Sequence, residues 1–203
     1  MALPADRSMA TKRGKFVGAF MAVMVVLGAY RTIMVTGKQV QKTIVIYSLN
    51  KARLVDFMEG DHSICLSDTL SQKQESFAAQ ATRTAFGMRE LTKLGFSDTS
   101  SFQQGNVLID LPFVQFFDQK MSFISDSRWL RTGNPKPVPV DVLVLSKSPK
   151  VSIAECRERF PCKLAVFDAS NSYRQIERWK KECEEAGWAY YDVRSLGAWV
   201  GRR

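Results

Sequence analysis

The chain has 203 residues and a formal charge of +9, with 45% hydrophobic and 24% charged residues. That balance belongs to a foldable chain of one ordinary domain plus an appendage, and it excludes a mainly disordered protein. Five basic residues stand against Asp6 alone in residues 1–36, so the remainder carries +5, which permits a polyanionic partner without requiring one.

Residues 1–15 are polar and basic and read as a disordered N-terminus. Residues 16–35 are apolar or small except for Arg31, whose charge can snorkel, and the run matches the ~20 residues that cross a bilayer as a helix. A cleaved signal peptide and a buried core helix are the alternatives, although Leu27-Gly28-Ala29 makes a poor cleavage site. Flanking charges lean toward a cytoplasmic N-terminus and an exported, periplasmic C-terminal domain. Residues 36–41 form a linker, and the folded domain covers 42–203.

Within it, residues 42–49, 53–58 and 62–67 are rich in β-formers and predict an antiparallel meander, with Glu59-Gly60-Asp61 as its second turn. Residues 70–84 have helical composition, and 96–105 read as a Ser/Gln/Gly loop. Strands are expected over 107–111, 113–117 and 121–125, the last two joined through Asp118-Gln119-Lys120. Three prolines make 132–139 a linker. Residues 140–146 are a β-branched and leucine run that suits a strand covered on both faces. Ser152 and Glu155 make a capping box for a helix over 152–159. Residues 163–168 give the next strand. Ser172 is placed to cap a helix over 173–186, where Ile176, Trp179 and Cys183 form one apolar stripe and Gly187 the stop. Residues 188–193 and 197–200 are the third and fourth strands of this part. The β-α-β-α-β-β order makes the fold class α/β: an antiparallel layer with an α/β layer closing on it, an α+β sandwich.

Chemistry-bearing motifs are few. A hydrolytic zinc site needs three or more protein ligands, usually histidines, and His62 at a turn is the one histidine. None of Cys65, Cys156, Cys162 and Cys183 forms a Cys-x-x-Cys pair, so they read as buried thiols. Cys156 and Cys162 flank the Phe160-Pro161 break and are the one pair near enough to consider as a disulfide. Glycine-rich phosphate loops are absent. Asp56, Asp61, Asp68 and Asp168 are candidate acid–base carboxylates. Asp68 and Asp168 follow predicted strands, where turn and cap roles are commoner. Trp129 and the Tyr190-Tyr191 pair could stack on bases, though isolated aromatics usually belong to cores.

Residues 140–146, 160–172, 179–183 and 190–193 with Gly197-Ala198 resemble the C-terminal end of ComEC-type competence proteins, particularly a Bacteroidetes-like branch. The likeness extends through residues 44–68 to the preceding apolar segment. It implies a metallo-β-lactamase-like αββα sandwich following a membrane helix in the bacterial inner membrane. The implied partners are the membrane, the polytopic channel part of a competence protein and single-stranded DNA; alone, the chain would not form the pore. Metal-binding members carry His-His-Gly after the strand matching 140–145, where this chain has Ser146-Lys147-Ser148, and a further histidine near Tyr173-Arg174 is missing. Only Asp68 falls where an aspartate ligand is kept, and Lys147 nearby would repel a divalent cation.

The expectation is therefore a degenerate, non-catalytic module without metal or cofactor. Its vestigial pocket would comprise Asp68, Ser146, Lys147, Asp168, Ser170 and Asn171, and its DNA contacts Lys147, Lys150, Arg174, Arg178 and Lys181. The alternatives are a residual metal-dependent hydrolase or nuclease using Asp68 and Asp168, and an anchored interaction domain unrelated to DNA.

Overall fold

The computed structural model describes residues 18, 20–30, 42–97, 101–131 and 136–202, in two units, Met1–Val40 and Gln41–Arg203. In the first unit residues 20–30 are helical (α1), with Phe20, Met24, Val25 and Leu27 exposed. Among the described residues no helix is long and apolar enough to cross a membrane. The expected 16–35 span is thus not shown as such; its remaining residues, like the expected basic N-terminus and the 36–41 linker, lie outside the described residues.

The second unit is built on two sheets. One runs β12-β1-β2-β3-β4, from Trp199–Arg202, Lys42–Ile46, Leu54–Glu59, His62–Ser67 and Glu90–Gly95. The other runs β11-β10-β9-β8-β7-β6-β5, from Tyr190–Asp192, Leu164–Phe167, Val142–Leu145, Gln119–Ile124, Phe113–Phe116, Val107–Asp110 and Phe102–Gln104. Period-two alternation of apolar residues explains the stacking. Ile44, Ile46, Val55, Phe57, Ile64 and Leu66 face Val107, Ile109, Val114, Phe116, Met121, Phe123, Val142 and Val144 in one shared core. The opposite faces are covered by helices. Val45, Tyr47, Leu54, Met58 and Cys65 pack with Ala79 of α2 (Gln72–Phe86). Leu143, Leu145, Ala165 and Phe167 pack under α4 (Ile153–Arg159) and α5 (Tyr173–Ala186) through Ile153, Cys156, Ile176, Trp179 and Cys183. The layers are therefore α, β, β, α. Two short helices, α3 (Arg128–Arg131) and α6 (Val193–Leu196), sit in connections.

The caps follow from sequence chemistry. The Ser152–Glu155 capping box is formed, Ser172 accepts from the Gln175 N–H, and Gly187 ends α5 at φ 61°. Four expectations need correction. Glu90–Gly95 is a further strand outside the expected elements; with none of its residues buried and carrying Glu90 and Lys93, it lacks apolar alternation, yet it pairs parallel with β3 through α2, so the first sheet is mixed. A short strand, β5, occupies part of the expected 96–105 loop. The 107–124 meander does not join the first layer: β8 pairs parallel with β9 and extends the α/β sheet. The fourth strand expected at 197–200 in the α/β layer is instead Trp199–Arg202, which crosses to the other sheet and pairs antiparallel with β1, because α6 turns the chain after β11.

The layer under α2 also holds charge. Arg83 donates to both carboxylate oxygens of Asp56 at 2.7 and 2.8 Å and to Glu75 at 2.7 Å, while Tyr47 donates to Asp56 at 2.9 Å and Lys93 to Glu75 at 2.7 Å. Burial works against the Arg83 charge, but the hydrogen bonds and charge of Asp56 outweigh it and hold the guanidinium well above its ordinary pKa. Burial and the Asp56 charge together push the Tyr47 phenol up.

Candidate functional site

Strand β3 in one sheet and strands β9 and β10 in the other end at the same edge of the sandwich. In open α/β sheets the carboxyl ends of parallel strands are where ligands bind. Three segments meet there: Asp68 after β3, Ser146-Lys147-Ser148 after β9, and residues 168–172 after β10.

Asp68 is enclosed by cations. Arg53 gives it the backbone N–H (3.0 Å), Nε (3.2 Å to Oδ2) and Nη2 (2.7 Å to Oδ1), and Lys147 Nζ reaches Oδ1 at 2.9 Å. Burial opposes ionisation here, but the Arg53 and Lys147 hydrogen bonds outweigh it and hold the Asp68 carboxyl below its usual range. The Arg53 guanidinium also lies 3.7 Å over the Phe96 ring. The expected repulsion between Lys147 and a cation takes a more definite form: the lysine itself takes the carboxylate.

Lys147 and Ser148 both adopt left-handed backbone, at φ 61° and 54°. Such a conformation costs a non-glycine residue on the order of 1 kcal/mol and persists only when its surroundings hold it. Here the next turn does so. The Lys147 N–H donates to Ser170 Oγ (2.8 Å), the Ser148 N–H to Asn171 Oδ1 (2.7 Å), and the Ser172 N–H to Ser148 Oγ (2.7 Å).

Beneath this seam lies Asp168, 3% exposed. Its Oδ2 accepts from Ser146 Oγ at 2.5 Å, and its Oδ1 from the Ser170 N–H (2.9 Å), Ser170 Oγ (2.5 Å) and Asn171 Nδ2 (3.2 Å). Burial is the dominant influence and pushes the carboxyl up to about 6, against these four donors. Asn171 Nδ2 also donates to the Leu145 carbonyl at 2.6 Å, and Arg194 of α6 clamps the turn through the Ala169 and Asn171 carbonyls at 2.9 and 2.7 Å.

All six expected pocket residues therefore converge, but not as an open pocket. Ser146, Asp168 and Asn171 are buried and spend their polar atoms on one another and on the adjoining turns. Their role is to fix the turns that present Lys147. Arg53, Ser148 and Arg194 complete the constellation without having been expected. Arg53 is, in sequence, only a cation opening an expected strand, and its meaning comes from Asp68, just past the end of the next strand.

A divalent cation needs free carboxylate or imidazole donors. Asp68 is matched by two cations, Asp168 is saturated by hydroxyl and amide donors, and His62 is exposed at the start of β3, beside Asp61 and Glu90. Among the described residues no three His, Cys, Asp or Glu side chains form a group that could hold a metal ion. The residues present do not fit a zinc or two-metal centre.

The expected DNA contacts divide. Lys150, Arg174 and Lys181 are exposed and make no ion pair among the described residues. Arg178 is committed to Glu182 Oε1 (2.6 Å) and the Val151 carbonyl (3.1 Å), and Lys147 to Asp68. Helix α5 sets four acidic against four basic residues, so it is not a basic face as a whole. All four cysteines are free thiols, which removes the Cys156–Cys162 pairing. Tyr190 stacks on Phe167 at 5.8 Å, whereas Trp129 is 40% exposed.

Two stacked mixed sheets between helical layers, with strand ends converging on a polar edge, define a α+β sandwich module. The chain belongs to the ComEC C-terminal domain family, whose model matches residues 44–202. This ties it to competence-type DNA uptake. No curated protein and no solved structure matches the chain.

Proposed function

We propose that this is a non-catalytic module of a competence-type DNA-uptake machine, a degenerate metallo-β-lactamase-like sandwich that assists DNA import or assembly with the channel part. The observation carrying this reading is the Asp68 carboxylate held between Arg53 and Lys147. Two protein cations occupy the acceptor that a metal would require, and restoring a ligand would mean breaking both ion pairs. Nor does Ser146–Asp168 offer a nucleophile and base, because both are buried at 0% and 3% exposure and no substrate reaches them. Anchoring through the apolar segment at 16–35, with the module on the periplasmic side of the inner membrane, completes the reading.

The exposed cations Lys150 and Arg174 follow the 146–148 and 168–172 turns, Lys181 lies two turns further along α5, and together they supply the contact to a phosphate backbone. Binding of single-stranded DNA to the full chain should then weaken with salt, with a log–log slope of about −0.7 per phosphate contacted. The triple reversal Lys150→Glu, Arg174→Glu, Lys181→Glu should flatten that slope. Salt-insensitive binding, or none, would remove DNA and leave only an assembly role.

A further inference from the structure

Arg53 has a second exposure besides Asp68. It forms one wall of a pocket of about 320 Å³ whose other walls include Phe96, Phe123, Ser125 and Trp129. That volume is at the lower end of small-ligand sites and accommodates one planar heterocycle. Three of these walls are aromatic. Phe96 and Phe123 pack at 5.8 Å, and the Arg53 guanidinium lies over the Phe96 ring at 3.7 Å.

The guanidinium is only partly used. Its side chain is 8% exposed and Nε and Nη2 are spent on Asp68, but Nη1 has no partner among the described residues. Nη1 is not among the buried unpaired atoms, so it is open to solvent from the pocket and can donate to an occupant that brings an acceptor. Charge does not single out the occupant, because Asp68 is shared by Arg53 and Lys147; the aromatic walls do, and they favour a planar ring that carries an acceptor for the free N–H. Trp129 supplies a stacking face: it is 40% exposed, whereas Trp179, Trp188 and Trp199 are 0%, 6% and 8% exposed. The Ser125 hydroxyl, at the end of β8, gives a further polar point on the wall.

We propose that this pocket receives one unpaired nucleobase, stacked on Trp129 with a ring carbonyl accepting from Arg53 Nη1. The inference rests on the DNA reading above and names which part of the strand the edge recognises: the backbone by the exposed cations, one base by the aromatic pocket. Thymine, cytosine and guanine carry the required carbonyl and adenine does not, so a preference against adenine follows.

The test uses the full chain, in non-ionic detergent, titrated with a twelve-residue oligothymidylate, its oligoadenylate counterpart and an abasic oligomer of equal charge. Trp129 is the one accessible tryptophan, so fluorescence quenching reports the pocket while anisotropy reports affinity. The thymidylate should quench and bind about tenfold more tightly than the abasic oligomer, the loss expected for one stacked base. Trp129→Leu should abolish quenching and cost a similar factor at an unchanged salt slope, and Trp129→Tyr should restore most of the affinity. Equal affinity for thymidylate and abasic oligomer, or full affinity in Trp129→Leu, would overturn the base pocket while leaving backbone binding intact. Failure of every oligomer to bind would overturn both.

Discussion

Lys147 Nζ lies 2.9 Å from Asp68 Oδ1, closing a contact between residues 79 positions apart in the chain. It joins the end of β9 in one sheet to the end of β3 in the other, and Arg53 holds the same carboxylate from beneath. The two cations are not equivalent. Lys147 is 45% exposed in its side chain and Arg53 8%.

That difference sets the first expectation. Lys147→Ala should cost less than about 1 kcal/mol, as for an exposed ion pair. Arg53→Ala should cost roughly 3–5 kcal/mol, because it strands the Asp68 carboxylate with one exposed partner and removes the guanidinium from Phe96. Urea unfolding of the two variants beside the parent measures both.

Asp168 gives a pH dependence whose sign is fixed by burial. Its carboxyl is raised to about 6, so between its ordinary range and that value the folded state binds more protons than the unfolded chain. This contribution stabilises at low pH and is lost as pH rises through about 6. Asp68 and Glu75 are shifted the other way and lose stability as pH falls, so the parent curve mixes both signs. Asp168→Asn isolates the former: relative to the parent it should gain on the order of 2 kcal/mol between pH 4.5 and pH 7. Denaturant titrations at the two pH values decide it.

The Asp56–Arg83–Glu75 cluster under α2 is a buried bidentate network. Arg83→Met should destabilise by roughly 3–5 kcal/mol through the unpaired Asp56. Arg83→Lys should recover little, since an ammonium cannot span Asp56 and Glu75 with the same fork. Thermal unfolding followed by circular dichroism would show both losses.

Burial pushes the thiols of Cys65, Cys156 and Cys183 up to about 12 and that of Cys162 up to about 11. Thiolate is the reactive form, so native labelling with a disulfide reagent should be slow at pH 8. Cys162, the only one not fully buried, should react first, and the rest only on unfolding.

Helix α5 shows what is legible in a sequence. Its cap, stop and stripe are local and period-matched, and it occurs over Tyr173–Ala186 as expected. The capping box of α4 is another such case. Long-range pairing is different. Nothing local tells Trp199–Arg202 to leave β11 for β1, because four residues with a glycine suit either sheet edge. Glu90–Gly95 hides for a related reason: pairing with β3 supplies its strand geometry, and its exposed face needs no apolar alternation. In the candidate site the grouping of Asp68 with Ser146, Lys147, Asp168, Ser170 and Asn171 was legible from strand ends and family resemblance. The Arg53 clamp and the self-saturation of Asp168 were not, since both depend on side-chain directions across separate strands.

On the proposed reading, Arg53 and Lys147 stand on Asp68 where a metal ion would otherwise sit. Elemental analysis of the full chain after dialysis against zinc or manganese tests it most directly. Far less than one ion per chain should remain bound, unchanged in Asp68→Ala. One equivalent of metal that disappears in Asp68→Ala would contradict it.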